Sequence, residues 1–151
     1  MRSTPANLND HLGFWLRFVS NHVSHAFAQK LERMDVTVAE WVVLRELYDV
    51  EAMAPSRLAD KLSMTRGGVT KLADRLIGKS LITRKNNMQD GRAQVLLLTS
   101  AGKRLVPKLA ALADQNEAEF FAHLTRDERS TLERLLREIV SHRGLKTVPV
   151  G

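Results

Sequence analysis

Basic and hydroxyl-bearing side chains in the middle of the chain have the types and the spacing that suit contacts with nucleic acid. From residue 65 to residue 77, polar and apolar residues recur at helical spacing, which predicts a helix with one polar and one apolar face. An arginine near the amino end of such a helix can donate two hydrogen bonds to guanine O6 and N7, and a threonine can contact a thymine methyl group. The polar positions that we expect to contact DNA are Thr65, Arg66, Gly67, Thr70, Lys71 and Arg75.

Two adjacent glycines, Gly67 and Gly68, stand at the start of this predicted helix. Each costs about 1 kcal/mol relative to alanine inside a helix. Two interpretations remain open. The absence of side chains would let the helix approach a DNA backbone closely, or the glycines simply occupy the loosely held first turn.

A second cationic cluster follows the predicted helix. Residues 81–85 and 94–98 have strand-forming composition, and residues 86–91 between them are rich in turn formers, so we predict a β-hairpin. A cationic tip on such a narrow ribbon suits the minor groove of DNA, whose negative potential attracts arginine. The residues that we place at this tip are Arg84, Lys85, Asp90 and Arg92.

Asp90 is the acidic residue of the predicted tip, and phosphates would repel its carboxylate. An aspartate two residues before an arginine can instead hold the guanidinium of Arg92 in a fixed orientation through charge-assisted hydrogen bonds. Asp90 followed by Gly91 is also an ordinary turn sequence. The two roles are compatible.

The elements that must position these side chains occur in a characteristic order. Pro55 suits the first position of a short helix, and residues 63–65 break the helical period before the polar-faced helix begins. Two short helices joined by a tight turn and followed at once by a hairpin are typical of a winged helix–turn–helix, whose second helix lies in the DNA major groove. We therefore predict that residues 65–79 form the recognition helix and that the hairpin forms the wing.

Longer helices flank this motif. The apolar spacing predicts a first helix over residues 8–33, about 39 Å long at 1.5 Å per residue, and a second helix that begins with the capping pair Thr37 and Glu40. Thr99, and Thr125 in a second capping pair with Glu128, precede two further helices. The first helix is long for a chain of this size, which indicates packing against something beyond its own core. The predicted fold is mainly α with a small β-hairpin wing, in one domain over residues 1–151.

Composition narrows the functional classes. The chain has 151 residues, 44% hydrophobic and 26% charged, as expected for one soluble globular domain. Lys and Arg number 23 against 17 Asp and Glu, and the resulting formal charge of +6 favours a polyanionic partner. Neither a signal peptide nor an apolar run long enough to span a membrane is evident, so we expect a cytoplasmic protein.

Catalytic and metal-binding sites find no support in the sequence. The chain has no cysteine, which excludes a catalytic thiol and a Cys-ligated metal, and it has neither a Gly-rich phosphate loop nor a G-x-S-x-G motif. His22 and His25 lie three residues apart, a spacing that could place two imidazoles on one ion, but no third ligand is evident. We therefore expect no enzyme activity, no cofactor and no metal.

Four short motifs follow one another through the middle of the chain: Asp74-Arg75-Leu76, Leu81-Ile82-Thr83-Arg84, Asp90-Gly91-Arg92 and Leu98-Thr99-Ser100-Ala101-Gly102. In this order and at these intervals, residues 39–103 resemble the MarR family of winged helix–turn–helix regulators, and the flanking helices extend the resemblance to nearly the whole chain. By that resemblance, Arg92 is the wing arginine that enters the minor groove and Asp90 is its positioning partner. Ser80 stands where the family has glycine, so we expect the recognition helix to end at Gly78.

The resemblance implies a homodimer that binds a pseudo-palindromic operator and acts most often as a repressor. The DNA-binding lobe would span about residues 37–99, and the dimerisation helices about residues 8–33 and 100–143. Two recognition helices would then lie one turn of DNA apart, roughly 34–36 Å, on half-sites about 10 base pairs apart. The apolar residues expected at the dimer seam, some of which must also serve the subunit's own core, are Leu8, Leu12, Leu16, Leu132, Leu135, Leu136 and Ile139.

Relatives of this kind often respond to small aromatic acids or other lipophilic molecules bound between the DNA-binding lobe and the dimerisation helices. Because arginine can hold a carboxylate and aromatic rings can stack, the candidates for lining such a cavity are Trp15, Phe18, His22, Trp41 and Arg45. Alternatively, these aromatic residues are plain core. A different function also remains open, a winged-helix protein-interaction module that has lost operator binding, although the cationic wing argues against it.

Overall fold

The computed structural model describes residues 4–87 and 90–146, and its described side chains leave out residues 87–93. Within these residues the chain is mainly helical with one antiparallel hairpin, which confirms the predicted fold class. None of the helices in the described ranges is long and apolar enough to cross a membrane. A short 3-10 helix, Leu8–Asp10, precedes α1 (Leu12–Glu32), α2 (Val38–Tyr48), α3 (Pro55–Leu62), α4 (Arg66–Gly78), β1 (Ile82–Asn87), β2 (Asp90–Leu98), α5 (Ser100–Phe121) and α6 (Arg126–Arg143).

Threonine side chains fix the starts of four helices. The Thr37 hydroxyl oxygen accepts from the Glu40 N–H while the Glu40 carboxylate accepts from the Thr37 N–H, so the predicted capping pair is confirmed. Thr125 forms the same reciprocal pair with Glu128 at the start of α6. Thr65 and Thr99 cap α4 and α5 through one hydrogen bond each. These bonds satisfy amide groups that have no partner within the helix.

The first helix begins later than predicted. His11 has extended backbone angles, φ −98° and ψ 130°, and it separates the 3-10 helix from α1. The indole nitrogen of Trp15 donates to the Asn9 carbonyl at 2.9 Å and so holds this turn against α1. The expected helix over residues 8–33 is therefore wrong at its start, and α1 is about 32 Å long at 1.5 Å per residue.

The strands of the wing are longer than predicted. β1 continues to Asn87 and β2 begins at Asp90, so much of the expected turn over residues 86–91 is strand. The register pairs Ile82 with Leu98 and Arg84 with Leu96, and it shifts between Asn86 and Asn87. Cross-strand pairing here outweighs the turn preference of asparagine, as tertiary context commonly does for strand propensity.

The hydrophobic core lies between the inner face of α4 and the elements around it. The predicted apolar face of α4 is confirmed, because Val69, Leu72, Ala73 and Leu76 are all buried. A backbone bridge between Met53 and Leu96 joins the chain before α3 to the base of the wing. The recognition helix is thus held by a continuous core to which α2, α3, the wing and α5 contribute Leu44, Leu47, Leu58, Ile82, Leu96, Val106 and Leu109.

The chain turns sharply between α4 and the wing at Ser80. α4 ends at Gly78, as predicted, and Ser80 takes the left-handed backbone conformation with φ +61°. The Ser80 N–H donates to the Ile77 carbonyl at 2.9 Å, and the Thr99 hydroxyl donates to the Ser80 carbonyl at 2.7 Å. These bonds hold a non-glycine residue in a conformation that costs about 1–2 kcal/mol.

Replacing Ser80 with glycine is therefore expected to raise the free energy of unfolding by about 1 kcal/mol, because glycine adopts positive φ without steric cost. Urea unfolding followed by circular dichroism measures the change. Ser130→Gly, at an exposed position inside α6, is the matched control and should lower stability by about 0.5 kcal/mol. A loss of stability in Ser80→Gly would contradict the assignment of strain to this turn.

Candidate nucleic-acid interface

The outer face of α4 is polar and exposed. Arg66 is the first residue of the helix, and Gly67, Thr70 and Lys71 follow it on the exposed side. The Thr70 hydroxyl donates to the Arg66 carbonyl at 2.9 Å, so its hydroxyl proton is used within the helix although the residue is exposed. This face can present a guanidinium, an ammonium and a hydroxyl oxygen to a groove of DNA.

Thr65 acts first as the cap of α4. Its hydroxyl oxygen accepts from the Gly68 N–H at 3.0 Å. The side chain is exposed, and a hydroxyl that accepts one bond can still donate its proton to a phosphate or base acceptor. The expected DNA contact by Thr65 is therefore compatible with its capping role.

The two glycines lie in the first turn of α4, and their surroundings differ. A Cβ atom at Gly68 would lie 3.1 Å from the Thr65 hydroxyl oxygen, so Gly68 has a reason within the chain to lack a side chain. A Cβ atom at Gly67 would meet nothing within 4 Å. Close approach of DNA at Gly67 remains a prediction.

Two cationic side chains at the carboxyl end of α4, Arg75 in its last turn and Lys79 directly after it, converge on one buried carboxylate of α2. The Lys79 ammonium donates to Glu40 Oε1 at 3.1 Å and to the Asp35 carbonyl at 2.6 Å. Arg75 Nη2 lies 3.6 Å from the same Glu40 oxygen and 3.4 Å from the Thr37 hydroxyl. Arg75, expected to contact DNA, is thus directed toward the start of α2, although half of its side chain remains exposed.

Glu40 stays charged in this buried position. Burial alone would raise its pKa, but hydrogen bonds from the Thr37 backbone, the Lys79 ammonium and the Thr37 hydroxyl together hold the pKa below its ordinary value. From the sequence we expected only a capping role for Glu40, and we missed Lys79 entirely. The spacing of Arg75 and Lys79, four residues apart on one helix face, is the signal that could have found this cluster.

The wing is tied to α4 by an ion pair. Arg84 Nη2 donates to Asp74 Oδ1, and this bond crosses from β1 to the recognition helix. The placement of Arg84 at the hairpin tip was wrong, because β1 extends beyond it and its Cα lies opposite that of Leu96. Asp74, which the sequence analysis named only as part of a motif, supplies the partner.

The remaining expected wing contacts lie farther along the hairpin. Lys85 is exposed on β1, with its Cα opposite that of Val95. The side chains of Asp90 and Arg92 lie outside the described part of the structure, although both residues belong to β2. Their expected roles in the minor groove stay predictions.

The residues expected to line an effector cavity fall into separate groups within one chain. The rings of Trp15 and Phe18 are 6.3 Å apart, and those of Phe18 and His22 are 4.8 Å apart, so these three form a row along α1. Trp41 instead packs edge-on against Phe27 at 6.3 Å. Arg45 Nη1 donates to Asp49 at 2.6 Å, and the guanidinium lies over the Tyr48 ring.

A large apolar surface lies on α1 and α6. α6 buries none of its residues, and a groove of about 400 Å³ between α1 and α6 is lined largely by apolar side chains, Trp15 among them. Apolar patches of this extent commonly mark interaction sites. All the residues expected at the dimer seam are exposed in the single chain, between 40% and 80%: Leu8, Leu12, Leu16, Leu132, Leu135, Leu136 and Ile139.

Histidine and acidic residues do not cluster as metal ligands in the described ranges. No group of three or more His, Cys, Asp or Glu side chains there is placed to hold an ion. His22 instead stacks on Phe18.

Comparison with known proteins gives consistent matches. The MarR family model matches residues 36–93, which include α2 to α4 and most of the wing. The multiple antibiotic resistance protein MarR of Escherichia coli is 29% identical over 143 residues, covering 93% of this chain and 99% of the relative. The crystal structure of a mutant MarR from E. coli complexed with operator DNA superposes with a TM-score of 0.80 at 27% identity, covering 90% of this chain and 99% of that one.

A second solved structure has the same degree of similarity. It is that of Bordetella bronchiseptica BpsR, described as a mechanism for regulation of DNA binding by 6-hydroxynicotinic acid. The TM-score is 0.80 at 25% identity, covering 90% of this chain and 97% of that one. The similarity therefore extends beyond the residues matched by the family model to both flanking regions.

Proposed function

The chain belongs to the MarR family of winged helix–turn–helix transcriptional regulators, and we propose that it acts as a homodimeric repressor that binds a pseudo-palindromic operator. It is a DNA-binding regulator rather than an enzyme. The observation that carries the proposal is the exposed polar face of α4, held by a buried core beside a cationic wing, in a fold shared with an operator-bound relative.

The recognition helix is assigned to the major groove and the wing to the adjacent minor groove. Arg66 and Lys71 supply the cations on α4, Thr65 supplies a hydroxyl donor for a base edge or a phosphate, and Thr70 supplies a methyl group for a thymine methyl. On the wing, we propose that Lys85 contacts phosphates and that Arg92 enters the minor groove, with Asp90 as its positioning partner. The DNA-binding lobe, about residues 37–99, then lies between the dimerisation helices.

Dimerisation is supported by the apolar surface of α1 and α6. A single recognition helix and wing form a small interface, whereas two copies related by a two-fold axis contact both half-sites of one duplex. The exposed leucines of α1 and α6 would be costly in a monomer in water. A second copy of the chain is the partner that would cover them.

Arg92→Ala is expected to weaken operator binding by about 1–3 kcal/mol while leaving the dimer intact, because the variant loses a charged contact with the DNA. Fluorescence anisotropy with a labelled duplex measures the affinity, and sedimentation measures the dimer. Arg104→Ala, at an exposed position of α5, removes the same charge from outside the hairpin and is the matched control. Equal affinities for the two variants would contradict the role assigned to Arg92.

Release by a small aromatic or lipophilic effector is part of the proposal. Its support is the row of Trp15, Phe18 and His22 on α1, together with the similarity to BpsR, whose DNA binding is regulated by 6-hydroxynicotinic acid. Titration of aromatic carboxylic acids into the protein–DNA complex tests it, and a loss of affinity that Phe18→Ala abolishes is the expected result. The proposal would be contradicted if none of the aromatic acids changed the affinity for DNA.

The DNA partner also supports a cytoplasmic location.

A further inference from the structure

Cationic side chains at the carboxyl end of the recognition helix contact a buried carboxylate, that of Glu40, whose charge is costly to bury. The Glu40 carboxylate is fully buried, and its Oε2 atom has no hydrogen-bond partner among the described residues. A buried carboxylate with one unsatisfied oxygen costs stability, and apolar replacements of buried ion pairs are often neutral or stabilising. Folding stability alone therefore gives a weak reason for an acid at this position.

The bonds that Glu40 makes lead to the recognition helix. Arg75, in the last turn of α4, and Lys79, directly after the helix, both reach its Oε1 atom. Lys79 also donates to the Asp35 carbonyl in the segment between α1 and α2. The carboxyl end of α4 is thus held against the start of α2. These contacts limit both the rotation of α4 about its own axis and its tilt relative to α2.

We propose that Glu40 is a positioning residue for operator recognition: through Arg75 and Lys79 it sets the orientation of the recognition helix and keeps the Arg75 guanidinium from indiscriminate contact with phosphates. This inference rests on the proposed DNA-binding function. Base contacts need correct orientation, whereas phosphate attraction does not. Removing the Glu40 charge is therefore expected to weaken sequence-specific binding to the operator more than binding to unrelated DNA.

The test compares affinity for two duplexes of equal length and composition. One is the sequence most enriched from a random pool by the unmodified protein, and the other is its scrambled version. Glu40→Gln keeps the size of the side chain and an oxygen for the Thr37 N–H, but removes the charge that attracts Arg75 and Lys79. We expect the ratio of the two affinities to fall about tenfold or more, on the scale of one mismatched base pair.

Binding to the scrambled duplex gives a second readout. Because Arg75 is released in both subunits, the affinity for the scrambled duplex is expected to hold or rise, and the slope of log affinity against log salt should steepen by about two units. A purely structural loss of folded protein would weaken binding to both duplexes by the same factor. Asp49→Asn is the matched control, since it also removes a carboxylate that accepts from an arginine on α2, at an exposed site.

A second variant keeps the test decisive if Glu40→Gln melts below the assay temperature. Lys79→Met removes one of the two ties and leaves Arg75 beside Glu40, and we expect it too to lower the affinity ratio. The inference would be overturned if folded Glu40→Gln and Lys79→Met had the same ratio of affinities for the enriched and scrambled duplexes as Asp49→Asn. The proposed function would still stand. If the unmodified protein enriches no sequence at all, the proposed function and the inference both fail.

Discussion

The affinity of the protein for its operator is expected to fall about 10³-fold or more between 50 and 200 mM salt. Each phosphate neutralised by Lys or Arg releases a condensed cation, so the loss grows with the number of such contacts. Six or so contacts suffice for an effect of this size. The formal charge of +6 and the exposed Arg66, Lys71 and Lys85 of the DNA-binding lobe supply the cations.

Anisotropy titrations at a series of salt concentrations measure this slope. The Lys71→Gln variant should reduce the steepness by about two units, one for each subunit of the dimer, whereas Lys146→Gln, beyond the end of α6, should leave it unchanged. A response that is flat over the same range would contradict a phosphate-dominated interface.

Gly102→Ala is expected to lower the free energy of unfolding by about 3 kcal/mol, at the upper end of the usual cost of overpacking. A Cβ atom at Gly102 would lie 2.2 Å from the Leu81 carbonyl oxygen, which is backbone and cannot rotate away. The same oxygen accepts from the Thr99 N–H at 3.0 Å, so the first turn of α5 lies directly on the start of the wing. Any relief of the clash must therefore move α5 or the wing.

Urea unfolding of Gly102→Ala and of a control, Gly78→Ala, measures the effect. A Cβ atom at Gly78 would meet nothing within 4 Å, so that variant should be as stable as the unmodified protein or slightly more so. Similar stabilities for the two variants would mean that α5 and the wing are not in tight contact. Because the wing rests on this contact, folded Gly102→Ala protein should also bind DNA more weakly.

Much of the fold could be predicted because its signals are local in sequence. The pairs Thr37 with Glu40 and Thr125 with Glu128 act over three residues, and both form as expected. The apolar face of α4 follows from helical periodicity and is buried as predicted. The break at His11 was missed because helical apolar spacing continues across it.

The candidate site was harder to predict because its charges pair across elements. Asp74 and Arg84 are ten residues apart on different elements, and Glu40 and Lys79 are 39 residues apart. No periodicity links such residues, and a basic side chain in the sequence does not reveal whether it faces DNA or a carboxylate. Gly102 is a similar case: the motif contains it, but only the approach of the Leu81 carbonyl explains it.

The central claim is that two copies of this chain bind one duplex symmetrically. Its most direct test is to select bound duplexes from a random pool and then footprint the enriched sequence. The expected product is an inverted repeat whose half-sites lie about 10 base pairs apart, protected at both halves. Enrichment of a single asymmetric half-site, or protection on one side alone, would contradict it.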